Sequence, residues 1–519
     1  MDQEELGQAQ QLLRCARRMV GPAASLQLHR MPVANAPVVA TSSCAQVLKF
    51  FVAQPNHHIL KLILDSTQEH LSSARDGGWL FLQLALGIFL ALRGRGPVAL
   101  EGVALSAQHL DIALQKSRIP FELQLTHVLA LLRSVLCKPI ALSDPKDVQH
   151  LSVVILEAFL HAVPGMDQGK GWPEVLRFEW FCGHDIEWSW THHGLVLDTP
   201  GSIGARQRAE TSGDLRLVLF DASLEEWLRP EAAWGMETYT VETYLSPSTP
   251  VDALRRWEIS QFKKLADSLL KSGVQVLCCQ KLVDPWLMDY LSSKGVTILW
   301  RLSIRHIEFV RQLSGATPVT SLAALPGWQE VMGRVASVEL KRICQRDYVI
   351  LTTAAGATAI STMLVSAPDD HALEELKQCL PQAVHCLWET VQSGFVLLGA
   401  GLTELQVAAE LDRLASMHLL ERCGTAVALR EIASCFKDAA ASLTPSGPES
   451  QCPSTSAAGA AMMDAASRVL QRWKEGSLPD GMVFDAELPK RKAILGAMNL
   501  AGILLRIGRA LDFRTTPLG

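Results

Sequence analysis

Residues 273–322 read GVQVLCCQKLVDPWLMDYLSSKGVTILWRLSIRHIEFVRQLSGATPVTSL, and this stretch decides the fold. Short apolar runs rich in β-branched residues alternate there with amphipathic patterns of helical period. The predicted strands are Val274–Cys279, Val296–Leu302 and Pro318–Leu322, and the predicted helices are Asp284–Lys294 and Ile304–Ser314. The alternation predicts an α/β layer in the middle of the chain.

Three glycines mark the ends of helices in and before this layer. Gly273, Gly295 and Gly315 each follow a helical pattern directly. Glycine adopts the left-handed conformation of a helix C-terminus without a steric cost. Strands that are joined through helices pair in parallel, because parallel neighbours need a crossover connection. We therefore expect parallel strands here.

The flanks of the layer are mainly helical. Apolar spacing near 3.6 predicts helices at Leu6–Val20, Cys44–Phe51, Asn56–Ser73, Trp79–Leu92, Ser106–Lys116, Pro120–Cys137, Asp147–Val163, His371–Gln392, Leu402–Leu414 and Pro489–Leu511. Further strands are predicted at Gly194–Asp198, Leu215–Phe220, Tyr348–Thr353 and Ala359–Val365. This order predicts an α+β multidomain protein, in which an α/β domain is inserted into a helical domain whose two halves meet.

Composition excludes some classes of partner. Of the 519 residues, 19% are charged and the formal net charge is −5, so nucleic acid is not expected as a partner. The longest apolar run, Trp79–Leu92, is shorter than the roughly 20 residues that span a bilayer, which favours a core helix over membrane insertion. The twelve cysteines form no Cys-x-x-Cys pair, and the acidic N-terminus resembles no signal peptide. We expect a cytoplasmic protein.

One group of residues has a loose likeness to a zinc site. Cys182, His184, His192 and His193 lie close together in sequence, but their spacing fits no common zinc motif. Chance clustering is the favoured interpretation, and we predict no metal site.

The α/β layer resembles the apical domain of group II chaperonins, the family of the cytosolic CCT/TRiC subunits and their archaeal relatives. Gly273–Asp284 (GVQVLCCQKLVD) matches the family pattern G-[AV]-x-V-[VL]-x-C-Q-K-x-[IL]-D, and similar matches follow at Val296–Arg301 and Gly315–Leu322. The resemblance implies a helical equatorial domain (1–145 and 399–519, with a flexible loop at 443–460), an intermediate domain (146–190 and 356–398) and a client-binding apical domain (191–355).

The resemblance also implies an ATP and Mg²⁺ site, whose motifs are only partly present. Gly21–Gln27 (GPAASLQ) corresponds to G-P-x-G-x-D-K, Thr41–Ala45 (TSSCA) to T-N-D-G-A, Arg75–Trp79 (RDGGW) to G-D-G-T-T, and Gly399–Glu404 (GAGLTE) to G-G-G-A-x-E. The residues that remain as weak candidates for nucleotide binding are Gly21, Pro22, Thr41, Asp76, Gly77, Gly399, Gly401 and Glu404.

The lost residues are those that a triphosphate needs. Phosphates are held by backbone N–H groups that glycines expose, and Mg²⁺ is held by carboxylates. Trp79 replaces a small hydroxyl residue, and Gln382 stands where the family has its hydrolytic Asp. Because an amide is no general base, we expect no catalytic residue and little or no ATP hydrolysis.

Two motifs leave alternatives open. Asp76 is either a remaining Mg²⁺ ligand or, as we favour, a residue that caps the following helix. Gly399 and Gly401 either cradle a phosphate or only permit a tight strand-to-helix turn. In the apical helix, Trp286 and Asp289 are weak candidates for binding a client or partner, and a Trp286 packed on a neighbouring helix is the alternative.

This pattern of loss resembles the chaperonin-like group linked to Bardet–Biedl and McKusick–Kaufman syndromes, above all its McKusick–Kaufman branch. The resemblance implies a factor that assembles the ciliary BBSome together with other chaperonin-like Bardet–Biedl proteins and CCT/TRiC subunits, at the centrosome or basal body. Two alternatives are an ATP-dependent subunit of a chaperonin ring and a centrosomal scaffold protein without folding activity.

Overall fold

Helices and strands follow the predicted order in the computed structural model of the protein. It describes residues 3–21, 27–30, 38–50, 58–137, 142, 144–166, 171–198, 210–225, 251–320, 327–343, 346–354, 359–418, 423–443 and 482–507. The helices are α1 (Gln3–Met19), α2 (Cys44–Phe50), α3 (His58–Ala74), α4 (Gly78–Leu92), α5 (Pro97–Lys116), α6 (Leu125–Leu136), α7 (Pro145–Met166), α8 (Trp172–Val175), α9 (Val251–Lys271), α10 (Pro285–Ser293), α11 (Ile304–Ser314), α12 (Trp328–Val331), α13 (Asp370–Ser393), α14 (Leu402–His418), α15 (Cys423–Leu443) and α16 (Glu487–Arg506).

The strands belong to three separate sheets within the described residues. They are β1 (Gln27–Arg30), β2 (Val38–Thr41), β3 (Ile119–Pro120), β4 (Leu176–Cys182), β5 (Trp190–Asp198), β6 (Glu210–Phe220), β7 (Val276–Cys279), β8 (Thr297–Leu299), β9 (Gly333–Ile343), β10 (Arg346–Thr353), β11 (Ser361–Ala367), β12 (Phe395–Leu398) and β13 (Phe484–Ala486). β1 pairs with β2, and β12 lies between β13 and β3.

The predicted α/β layer is confirmed in its main features. β6, β7 and β8 are parallel neighbours, and α10 and α11 follow β7 and β8 along the chain. Gly273, Gly295 and Gly315 have φ angles of 78°, 85° and 73°, so each takes the left-handed conformation that favours glycine. Asp284 begins α10 by accepting hydrogen bonds from the backbone N–H groups of Trp286 and Leu287.

The predicted strand at Pro318–Leu322 is wrong. Within the described part of this segment, Val319 forms a single parallel bridge with Phe220 and no longer ladder follows. The backbone N–H of Val319 donates to the Leu219 carbonyl at 2.8 Å. Pro318 has no N–H to extend the pairing.

The central sheet has the strand order β4-β11-β5-β10-β9-β6-β7-β8. The pairs from β6 to β8 are parallel, whereas β5, β9 and β10 pair antiparallel with their neighbours. β9 was not predicted, because Arg334, Glu339, Lys341 and Arg342 interrupt its apolar pattern. None of these four charged side chains is fully buried, so each can reach water from the strand.

The helical part has a thick apolar core. α4, which carries the longest apolar run, is buried almost all round, as the sequence predicts for a core helix. It packs against α16, α15 and α1. α5 and α15 approach each other closely at Gly102, where an added Cβ would lie 2.7 Å from the Ala428 Cβ. None of the described helices is long and apolar enough to cross a membrane.

The chain forms two compact units. One comprises Met1–Ile155, Cys182–Glu187 and Ser366–Gly519, and the other comprises Leu156–Phe181 and Trp188–Val365. The first unit combines both ends of the chain, so the two helical halves do meet. The finer division into equatorial, intermediate and apical segments stays a prediction, and the predicted loop at 443–460 lies outside the described residues after Leu443.

Candidate functional site

A cavity of about 650 Å³ lies in the first unit and brings together residues from both halves of the chain. Four of the predicted nucleotide-site residues line it: Gly21, Asp76, Gly77 and Glu404. Thr41, Gly399 and Gly401 are chain neighbours of the lining residues Ser42 and Ala400. Pro22 lies outside the described residues.

The Asp76 carboxylate is held by groups of the protein itself. Its Oδ1 accepts hydrogen bonds from the backbone N–H of Gly77 and from the side-chain amide of Gln382, both at 2.6 Å. The capping interpretation of Asp76 is wrong, since Gly77, with φ of 76°, is the N-cap of α4. Asp76 instead joins the turn before α4 to α13.

Trp79 is fixed at the cavity wall. Its indole Nε1–H donates to the carbonyl oxygen of Ser42 at 2.9 Å. The large ring therefore has a defined orientation at a position where the related family has a small hydroxyl residue. The indole lines the cavity together with Ser42.

Glu375 is a cavity residue that the sequence did not reveal. Its Oε1 accepts from the backbone N–H of Ser42 at 2.9 Å and from the Ser42 hydroxyl at 3.0 Å. Glu375 is 7% exposed, so its charge is stabilised by these donors rather than by bulk water. The separation of 333 positions in sequence left no local signal for this contact.

Lys490 provides a buried positive charge beside the predicted Glu404. Its Nζ lies 2.9 Å from Glu404 Oε1 and 2.5 Å from Asp485 Oδ2. Burial by itself would lower the pKa of Lys490, but the charges of Asp485 and Glu404 raise this pKa above its ordinary value. Lys490 therefore stays protonated and neutralises two carboxylates. Lys490 is a cavity residue that the sequence motifs did not identify.

The remaining glycines have close neighbours in their own chain. A Cβ added to Gly399 would lie 2.8 Å from the Val483 carbonyl oxygen, and one added to Gly401 would lie 3.0 Å from Ala440. At Gly21 the corresponding distance to the Ser442 carbonyl oxygen is 2.9 Å. These contacts require glycine whether or not a phosphate is bound. The tight-turn interpretation of Gly399 and Gly401 thus has a structural basis.

Two positions that carry glycine in the family motifs have a left-handed backbone in this chain although they carry other residues. Arg75 has φ of 56° and Ala400 has φ of 54°. In the related family's motifs both positions carry glycine. Because a Cβ disfavours this conformation, the loops retain a backbone geometry that their present residues do not favour.

The predicted partner-binding pair lies in the second unit, on α10. Leu287 and Leu291 are fully buried, as expected for the core-facing stripe of this helix. Trp286 is half-buried, packs against the same core and stacks on Tyr290 with ring centroids 5.1 Å apart. The half-buried ring thus agrees with the packed alternative, with Tyr290 of its own helix as the stacking partner. Asp289 is exposed.

The residues with a loose likeness to a zinc site are divided between the two units. Cys182 and His184 belong to the first unit, whereas His192 and His193 lie on β5 in the second. A search of the described ranges finds no group of three or more His, Cys, Asp or Glu side chains arranged to hold a metal ion.

The sequence profile of the TCP-1/cpn60 chaperonin family matches residues 31–508. Molecular chaperone MKKS of Mus musculus is 27% identical over 369 residues, which cover 68% of this chain and 61% of that protein. The Homo sapiens protein of the same name is 25% identical over 385 residues, covering 72% and 64%. These alignments span less than two thirds of the length of either relative.

A more distant relative is archaeal. Thermosome subunit beta of Archaeoglobus fulgidus is 29% identical over 242 residues, which cover 46% of this chain and 41% of that protein. The similarity to MKKS confirms the expected likeness to the McKusick–Kaufman branch. With nearly its whole length matched by the family profile, and with the inserted α/β layer in place, the chain belongs to the TCP-1/cpn60 chaperonin family.

Proposed function

We propose that this protein is a chaperonin-like factor that assists the folding or assembly of a multiprotein complex, with little or no ATP hydrolysis. Membership of the chaperonin family and the similarity to proteins named molecular chaperone support the general role. By resemblance, the complex is the ciliary BBSome. The partners are other chaperonin-like Bardet–Biedl proteins and CCT/TRiC subunits, in the cytoplasm and at the centrosome or basal body.

The contact between Gln382 and Asp76 carries the proposal. An amide cannot take a proton from an attacking water, and here it is bonded to one of the two carboxylate oxygens that could bind a metal ion. Loss of a general base typically costs about 10²–10⁴-fold in rate. The carboxylates that remain in the cavity fit Mg²⁺ with a triphosphate poorly, because Asp76, Glu375 and Glu404 each already have a partner within the protein.

Partner capture from ciliated cells tests the assembly role. The full chain carrying an affinity tag is purified, and the bound proteins are identified by mass spectrometry. We expect BBSome subunits, chaperonin-like Bardet–Biedl proteins and CCT/TRiC subunits. Recovery of centrosomal proteins alone would support the scaffold alternative and overturn the assembly role.

An exposed residue of the second unit provides a matched pair of variants for the same experiment. Asp289→Arg reverses a charge on the exposed side of α10. Asp347→Arg makes the same reversal on β10, where Asp347 is also exposed. If α10 contacts partners, Asp289→Arg reduces their recovery more than Asp347→Arg does. Equal recovery with both variants would remove Asp289 from the partner site.

A further inference from the structure

One face of α13 carries four residues that lie against the cavity or its walls. Glu375, Cys379, Gln382 and Cys386 are spaced by four, three and four positions, which places them on the same side of a helix. Glu375, Cys379 and Gln382 line the cavity, and the Cys386 Sγ lies 3.9 Å from Asp76 Oδ2. This face therefore meets the cavity over about three helical turns.

Two polar contacts fasten this face to distant parts of the chain. Near the start of α13, the Glu375 carboxylate accepts both the backbone N–H and the hydroxyl of Ser42, in the turn between β2 and α2. Two turns further on, the Gln382 amide donates to Asp76 in the turn before α4. Hydrogen bonds to an ionised carboxylate are stronger than those between neutral groups.

The two contacts use groups that a bound anion and a bound cation would otherwise use. The Glu375 carboxylate takes the backbone N–H of Ser42, a type of donor that binds anions. The Gln382 amide takes the carboxylate of Asp76, a type of acceptor that binds cations. α13 thus satisfies both sites with its own side chains.

We propose that α13 is latched onto the cavity without any bound ligand, through Glu375 at Ser42 and Gln382 at Asp76. The chain passes from the second unit to the first at Ser366, shortly before α13 begins. The latch fixes the first helix after this passage in one position. It rests on contacts within the first unit, so it holds whether or not the assembly role proposed above is correct.

Hydrogen–deuterium exchange of the full chain, read by mass spectrometry, tests the latch. In Glu375→Ala we expect exchange about 10- to 100-fold faster in peptides that cover residues 41–45 and 370–382, because a buried charge-assisted contact is lost. Glu374→Ala is the matched control. Glu374 is exposed, pairs with Lys377 and does not itself line the cavity. Its exchange should equal that of the wild type.

A second variant tests the other contact. Gln382→Glu places a carboxylate against Asp76 Oδ1, and the repulsion should also speed exchange in residues 370–386. Peptides from α15, which belongs to the first unit like α13, report whether each variant is folded, and their exchange should not change. If Glu375→Ala unfolds the whole chain, Glu375→Gln decides, since it keeps the size but removes the charge and should speed exchange at residues 41–45.

Two results would overturn the latch. One is equal exchange in the wild type and in all folded variants at these residues. The other is a wild-type chain whose α13 peptides become protected only after MgATP is added, because a ligand would then be needed to dock the helix. Neither result bears on which partners the protein binds, so the latch and the assembly role fail separately.

Discussion

At the scale of single residues, the buried lysine of the cavity, Lys490, should make a large contribution to stability. Lys490→Met leaves the fully buried Glu404 without its partner, and breaking a buried ion pair in this way costs about 3–5 kcal/mol. Unfolding in urea measures the loss in free energy. Lys492→Met is the control: its Nζ makes one long contact at an exposed site, so we expect a change within about 0.5 kcal/mol. Equal losses would show that the ion pair contributes nothing.

The raised pKa of Lys490 determines how its contribution to stability changes with pH. A folded-state pKa above the unfolded value means that this stabilisation is complete at neutral pH. It is lost only as the pH rises above roughly 10.4, the value for an unperturbed lysine. Acidic conditions therefore act on the protein through other groups.

His306 is such a group. It is fully buried on α11, and its Nε2 lies 2.5 Å from Asp198 Oδ1, while Arg177 donates to its Nδ1. Burial, followed by the positive charge of Arg177, lowers the pKa of His306 to about 4. Glu179 and Arg305 complete the charged surroundings.

The lowered pKa predicts weaker folding in mild acid. Between pH 6.5 and pH 4 the unfolded chain takes up a proton at His306 that the folded chain does not, so stability falls as the pH falls. The loss from this residue is about 2 kcal/mol between pH 7 and pH 5. Urea unfolding at the two pH values should show a smaller difference for His306→Gln than for the wild type. Parallel pH dependence in the two proteins would contradict this.

His192 adds to the same loss of stability in mild acid, because burial also lowers its pKa to about 4.

At the scale of elements, the loop between β12 and α14 offers a substitution that should stabilise the protein. Ala400→Gly should stabilise the protein by about 1 kcal/mol, because Ala400 has φ of 54° and glycine relieves the strain of its Cβ. Ala409→Gly, within α14, should destabilise by about 1 kcal/mol, since glycine is unfavourable inside a helix. Thermal unfolding compares the two. Destabilisation by both would mean that the loop is not strained.

The elements also show where sequence patterns suffice. The left-handed conformation of Gly273, Gly295 and Gly315 could be predicted from the sequence, because each glycine directly follows the helix that it ends. The polar strand β9 was not, because it is held by pairing with β10 and β6, which its own sequence does not encode. Helical spacing left an exposed and a packed Trp286 as alternatives, because the stacking of its ring on Tyr290 depends on the side-chain torsions.

At the scale of the whole molecule, the first unit carries a cavity in which Asp76, Glu375 and Glu404 are paired with other groups of the protein. Sequence motifs identified Asp76 and Glu404 as cavity residues but could not supply Gln382 or Lys490 as their partners, because these lie 306 and 86 positions away. The family could be recognised from local motifs, whereas the pairing of these side chains could be seen only in the folded structure. Together they are the basis on which we propose a chaperonin-like protein that keeps its fold without nucleotide.

Mg²⁺-dependent ATP turnover by the purified full chain tests the central claim most directly. The rate is measured for the wild type and for Asp76→Ala, the variant that removes the cavity carboxylate bonded to Gln382. We expect the wild type to hydrolyse ATP no faster than Asp76→Ala. Tight, Mg²⁺-dependent ATP binding by the wild type, with turnover that Asp76→Ala abolishes, would contradict it and favour an ATP-dependent chaperonin subunit.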